Sequence, residues 1–207
     1  MRRQKLIEAA VLAGVVALWG GVAHADGGGA NTEEFSARLS GFQELGTINA
    51  QTGAILSDGT GTLSLKLNKN TGTIDFTLTY SNVGTTQPMT GMVSQAHIHF
   101  GKARDSGGIL VYFCTNLSFV GHTGPAPQPC PKNSGTVTGT FKAANVQAIP
   151  TQNVNVNDFD ALVDAIKSNT AYANIHTVPV SGATNTAFPA GEIRGQIHAE
   201  DHDKDHN

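Results

Sequence analysis

The sequence predicts an all-β protein, an antiparallel β-sandwich or barrel carrying one short α-helix. Three observations point there. Several runs of seven to ten residues alternate apolar and polar side chains, the period of a strand with one buried face. Only one segment has apolar residues at helical spacing. The composition favours strands and turns over long helices, with 24 glycines in 207 residues and only 14% charged residues.

The elements follow in chain order. Phe35 to Gly41 alternates, with Phe35, Ala37 and Leu39 on one side. Gly59 to Asn68 repeats the pattern with Leu63, Leu65 and Leu67, and Thr73 to Asn82 with Ile74, Phe76, Leu78 and Tyr80. The intervening Asn68-Lys69-Asn70-Thr71-Gly72 is turn-rich, so the two runs read as a β-hairpin. Further strands are expected over Gln95 to Lys102, Gly108 to Cys114, Ser134 to Lys142, Tyr172 to Val178 and Glu192 to His198. The exception is Asp158 to Lys167, where Phe159, Leu162, Val163 and Ile166 fall on one helical face and Asn157 or Asp158 can cap. This short amphipathic helix reads as a lid on the sheet.

Outside the domain, residues 1–25 read as a secretory signal peptide. Arg2, Arg3 and Lys5 precede an apolar run from Ala9 to Trp19, and Ala23-His24-Ala25 supplies a cleavage site. Residues 26–32 form a glycine-rich linker, 33–199 the folded domain, and 200–207 an acidic tail with histidines. A secreted or periplasmic protein with no membrane span after cleavage is expected. The whole chain has 13 Lys+Arg against 16 Asp+Glu; the leader holds three of the former and one of the latter, so the remainder is net −5. That charge argues against a nucleic-acid partner. Cys114 and Cys130 are the only cysteines, and export favours their pairing over two free thiols.

The chemistry concentrates in Gln95-Ala96-His97-Ile98-His99-Phe100-Gly101. On a strand His97 and His99 share a face while Ile98 points into the core. The same parity sets Tyr172, Asn174 and His176 opposite Ala173 and Ile175, and sets Glu192, Arg194, Gln196 and His198 opposite Ile193 and Ile197. If these strands are neighbours, their outward polar faces form one patch. Two readings stay open. His97, His99, His176 and His198 could ligate copper or zinc, with Glu192 orienting a ligand. Alternatively the patch is a polar network in which Glu192 pairs with Arg194 or Arg38 and the histidines bond to backbone carbonyls. In the tail, His198, His202 and His206 recur at intervals of four among carboxylates, either a weak chelating tract or a solvated terminus. His122 reads as an exposed loop residue. Asn116-Leu117-Ser118 has the form of a glycosylation sequon.

Four motifs in order resemble the CHRD domain, the module first named from chordin: Phe35 to Glu44, Ala96-His97-Ile98-His99-Phe100-Gly101, Asn174-Ile175-His176-Thr177, and Pro189 to Ile197. The resemblance covers about residues 33 to 199. It implies an extracytoplasmic β-rich module with no established reaction. The insertion bearing Cys114, His122 and Cys130 departs from the shortest form of the pattern. The segment Ala96 to Gly101 is also similar to the His-x-His-x-x-Gly copper strand of copper/zinc superoxide dismutases. His97 and His99 match that strand, while the bridging histidine and zinc loop have no counterpart. These resemblances imply a Greek-key, superoxide-dismutase-like or immunoglobulin-like topology.

The leading expectation is therefore a non-enzymatic exported module binding an extracytoplasmic ligand or protein through its outer polar face. The alternatives are a copper or zinc protein using the histidine cluster, and a cell-surface or matrix structural protein. Dismutase-like activity is the one enzymatic candidate.

Overall fold

A computed structural model describes residues 31–48, 51–87, 91–180 and 187–200. The expected signal peptide, all but the last two residues of the linker (Asn31 and Thr32), and the tail from Asp201, with His202 and His206, lie outside the described residues. Among the described residues no helix is long and apolar enough to cross a membrane.

The strands are β1 (Thr32–Ser40), β2 (Gly46–Ile48), β3 (Gln51–Gly53), β4 (Thr60–Asn68), β5 (Thr73–Ser81), β6 (Met92–Phe100), β7 (Ile109–Thr115), β8 (Gly135–Phe141), β9 (Ala171–Val178), β10 (Ile193–Gln196) and β11 (His198–Ala199). The single α-helix among the described residues, α1, spans Phe159–Lys167. All but β2 and β3 belong to one antiparallel sheet, ordered β7-β6-β9-β10-β1-β4-β5-β8, with β11 paired to β1. This sheet curls into a nearly closed barrel.

Alternation builds the interior. Along β4 and β5 every second residue is buried, and the register opposes Leu63 to Leu78, Leu65 to Phe76 and Leu67 to Ile74. Each such cross-strand pair removes two apolar side chains from water. Their turn is closed by Asn68 Oδ1, which accepts from the amides of Asn70 (3.0 Å) and Thr71 (3.2 Å), and by Gly72 at φ +59°. Positive φ at that position is the reason a glycine serves there.

The two outer strands of the sheet, β7 and β8, approach one another at a seam. Phe76, Phe113 and Phe141 pack across it, with Phe76 ring centroids 5.0 Å from Phe113 and 4.4 Å from Phe141. The disulfide Cys114–Cys130 joins β7 to the segment that leads into β8. The expected pairing of the cysteines is thus present. Asn116 reinforces it: its amide group donates to the carbonyls of Val93 and Cys130, and its oxygen accepts from Cys130 N–H. The sequon asparagine is therefore a structural cross-link.

The helix forms where periodicity placed it. Asp158 caps it by accepting from Ala161 N–H at 3.1 Å, and Leu162, Ala165 and Ile166 are buried against the barrel. One expected strand is divided. Glu192 to His198 does not run continuously. β10 pairs with β9, Ile197 N–H donates to Ala171 O, and β11 then pairs with β1 through Ser36 and His198.

Candidate metal centre

Strands β6 and β9 are direct neighbours, with His97 opposite Asn174, His99 opposite Tyr172, and Gln95 opposite His176. Strand β10 adds Arg194 opposite Asn174 and Gln196 opposite Tyr172. The adjacency inferred from parity therefore exists, and it gathers His97, His99, His176, Asn174, Arg194 and Gln196 on the barrel's outer face.

That face is not exposed. His97, His99 and His176 are only 1%, 9% and 7% accessible. Loops roof it. The segment after β6 is pinned by Arg194 Nη2, which donates to the carbonyls of Lys102 (2.8 Å) and Asp105 (3.0 Å), and by Gln196 Nε2, which donates to Gly101 O (3.1 Å) and also to Asn169 O (2.8 Å) in the turn between α1 and β9. The segment before β10 is held by Phe188 N–H donating to Thr177 Oγ1 at 2.9 Å. Parity distinguishes the two faces of a strand, but it does not say whether a loop covers the polar one. The outer polar face is an internal polar layer, so the expected surface patch is corrected.

Two of the three rings have fixed tautomers. His99 Nδ1 lies 2.8 Å from Gly107 O, and His176 Nδ1 lies 2.9 Å from Pro189 O. A carbonyl oxygen only accepts, so each Nδ1 carries the proton and each neutral ring presents an Nε2 lone pair. The loops that bury the rings also aim them. His97 Nδ1 is 2.9 Å from His99 Nε2, while the Nε2 atoms of His97 and His176 are buried without a hydrogen-bond partner among the described residues. One ligand nitrogen from each ring lies within 4.8 Å of the others.

Burial keeps all three rings neutral. It pushes His99 and His176 down to about 4, and His97 falls well below the ordinary histidine value. After burial, the neighbouring His176 and His99 contribute to the drop at His97. Tyr172 stacks on His99 with ring centroids 4.8 Å apart, and the Arg194 guanidinium sits 3.4 Å from the centre of the same phenol ring. On the other side Tyr112 packs edge-on against His97 at 4.9 Å.

The remaining expected site residues fall elsewhere. His198 is exposed on β11, which stays beside β1 after the pairing of β10 with β9 has ended. It is not in the cluster. Arg38 is exposed on β1 and does not contact Glu192. Glu192 is fully buried but pairs with neither arginine and orients no histidine. Its carboxylate accepts from Ser57 Oγ (2.8 Å), Gly84 N–H (2.9 Å) and Thr177 Oγ1 (3.0 Å). Thr177 alternates with His176 along β9, which puts Glu192 on the opposite side of that strand. His122 is exposed, as expected, although it stacks on Phe119 and its Nδ1 lies 3.3 Å from Tyr112 Oη.

Sequence reasoning missed two contributors. Glu44 is buried, accepts from Leu45 N–H at 2.9 Å and binds the Asn174 amide. Burial raises its carboxyl above the ordinary value. Its signal was its place at the end of the first motif, Phe42-Gln43-Glu44. Tyr112 lies in the near-continuous apolar run Ile109 to Cys114, where alternation gives no cue.

The four ordered motifs thus converge on one structural unit: β1 and Glu44, β6, β9 and β10. No curated protein matches the chain. The model of the CHRD domain matches residues 35–197, from the first residue of the β1 motif to Ile197, the residue after β10. The chain belongs to the CHRD domain family.

Proposed function

We propose that this protein is an exported CHRD module that binds a transition-metal ion, copper or zinc, through His97, His99 and His176. One observation carries the reading: three buried, neutral imidazoles with a ligand nitrogen each inside a 4.8 Å cluster, two of them held by backbone carbonyls through the opposite nitrogen. Metal ligands of the histidine type are held in that way. The buried His176 Nε2 lone pair, without a partner among the described residues, is a cost the fold carries unless something occupies it.

The expectation of a macromolecule bound directly on this face is less well supported, since the loops leave these side chains almost no accessible surface. An ion needs none. Export is part of the proposal: the basic and apolar leader and the Cys114–Cys130 disulfide both suit an oxidising compartment.

The test is metal analysis of protein purified from its own compartment, with His202→Ala and His206→Ala in place so that the tail contributes nothing. About one equivalent of copper or zinc is expected, and its loss in His97→Gln or His176→Gln. Protein without stoichiometric metal that also takes up none on incubation with either ion removes the proposal.

A further inference from the structure

The three histidines form a donor set without negative charge. Among the described residues no carboxylate or thiolate joins the 4.8 Å cluster. Both cysteines are tied in the disulfide. The Glu192 carboxylate is occupied by Ser57, Gly84 and Thr177. Glu44 is occupied by Leu45 N–H and the Asn174 amide. A nearby fixed charge has the wrong sign for a cation: Arg194 acts against positive charge at His99.

Two physical consequences follow. The cost of moving an ion out of water grows with the square of its charge, so a divalent ion here meets roughly four times the desolvation penalty of a monovalent one, with no anion to offset it. Zinc in addition requires four ligands, and a catalytic-type site completes them with water. The Nε2 atoms of His97 and His176 are buried, so a fourth, aqueous ligand would itself have to be buried. A three-coordinate ion of low charge avoids both penalties.

We infer that this centre, resting on the metal-binding reading above, selects copper(I) over copper(II) and zinc(II). The bound ion is a copper held in its reduced state in a dry, uncharged, three-nitrogen site.

The experiment uses the full chain carrying His202→Ala and His206→Ala. Copper(I) is titrated anaerobically against bicinchoninate with ascorbate as reductant, since a thiol would attack the disulfide. Copper(II) and zinc(II) are titrated against a metal indicator, and silver(I) serves as a redox-inert monovalent probe. One equivalent of copper(I) is expected, with silver(I) competing for it. Relative to free imidazole in the same buffer, the preference for copper(I) over copper(II) should rise at least ~100-fold, which places the bound couple about 120 mV higher at 59 mV per decade. His97→Gln, His99→Gln and His176→Gln should each remove the tight site. Copper(II) or zinc(II) held as tightly as copper(I) overturns the selectivity and leaves metal binding intact. Binding of none of these ions, or binding unchanged in all three variants, overturns both. Should a substitution unfold the chain, the wild-type comparison of the two copper states still decides.

Discussion

His97 Nδ1 lies 2.9 Å from His99 Nε2, and His99 is oriented by Gly107 O at 2.8 Å on its far nitrogen. His99 therefore has its lone pair pointed at His97. Without an ion the contact is an ordinary N–H···N bond donated by His97. For an ion to take all three rings, the proton at His97 Nδ1 would have to move to Nε2, which frees the Nδ1 lone pair and keeps the ring neutral. Under the proposed metal binding, uptake would be coupled to the tautomer of His97, while His99 and His176 are pre-set by Gly107 O and Pro189 O.

Metal should stabilise the fold in a site-specific way. An ion at 100 times its dissociation constant adds about 2.7 kcal/mol to a state that alone binds it. Thermal unfolding with copper is expected to shift upward for the wild type and for His198→Ala, since His198 lies on β11 outside the cluster. The shift should vanish in His97→Gln combined with His99→Gln. Equal shifts in all three proteins would place the ion elsewhere.

Acid should destabilise the metal-free protein before its carboxylates titrate. The unfolded chain takes up histidine protons near pH 6.5, whereas His99 and His176 resist them down to about 4. Between those values the unfolded state binds more protons, so stability is fully present above about pH 6.5 and falls as pH drops towards about 4. Glu44 works in the opposite sense, because its raised value favours the folded state on protonation. Urea midpoints measured from pH 7.5 to 4.5 should fall for the wild type and fall less steeply for His176→Gln.

Glu192 is expected to matter for stability and not for metal. Three donors converge on its buried carboxylate from the Ser57 loop, the Gly84 turn and β9. Glu192→Ala leaves those donors unpaired, at a cost of about 3 kcal/mol or more given about 1–3 kcal/mol per stranded group. Denaturant unfolding reads the loss. Copper content of the folded fraction should stay near that of the wild type.

The disulfide should act as a staple across the barrel seam. It closes a loop with a sequence separation of 16. A loop of that length restricts the unfolded chain by about 3 kcal/mol. Cys114→Ser with Cys130→Ser is expected to lower the urea midpoint correspondingly. The retained Phe76–Phe113–Phe141 contact should keep the sheet itself intact by circular dichroism.

The sequence by itself determined the long strands, the helix, the disulfide partners and the parity of His97 and His99, because each follows from a short period or from pairing the only two cysteines; it showed neither the short β2 and β3 nor the division of the last strand into β10 and β11. Leu63, Leu65 and Leu67 announce a half-buried strand without reference to anything distant. Ala96-His97-Ile98-His99 likewise states that the imidazoles share a face. Only the tertiary structure decided which strands are neighbours and what covers them. That β6 lies against β9, that Glu192 points away from His176, and that His198 leaves with β11 all depend on where the chain changes partner, which no local period encodes. The burial of the centre depends on Gly107 and Pro189 offering carbonyls from two loops to His99 and His176. Backbone oxygens have no signature in the sequence, so the step from a polar face to a buried, aimed set of three imidazoles could be taken only in the folded chain.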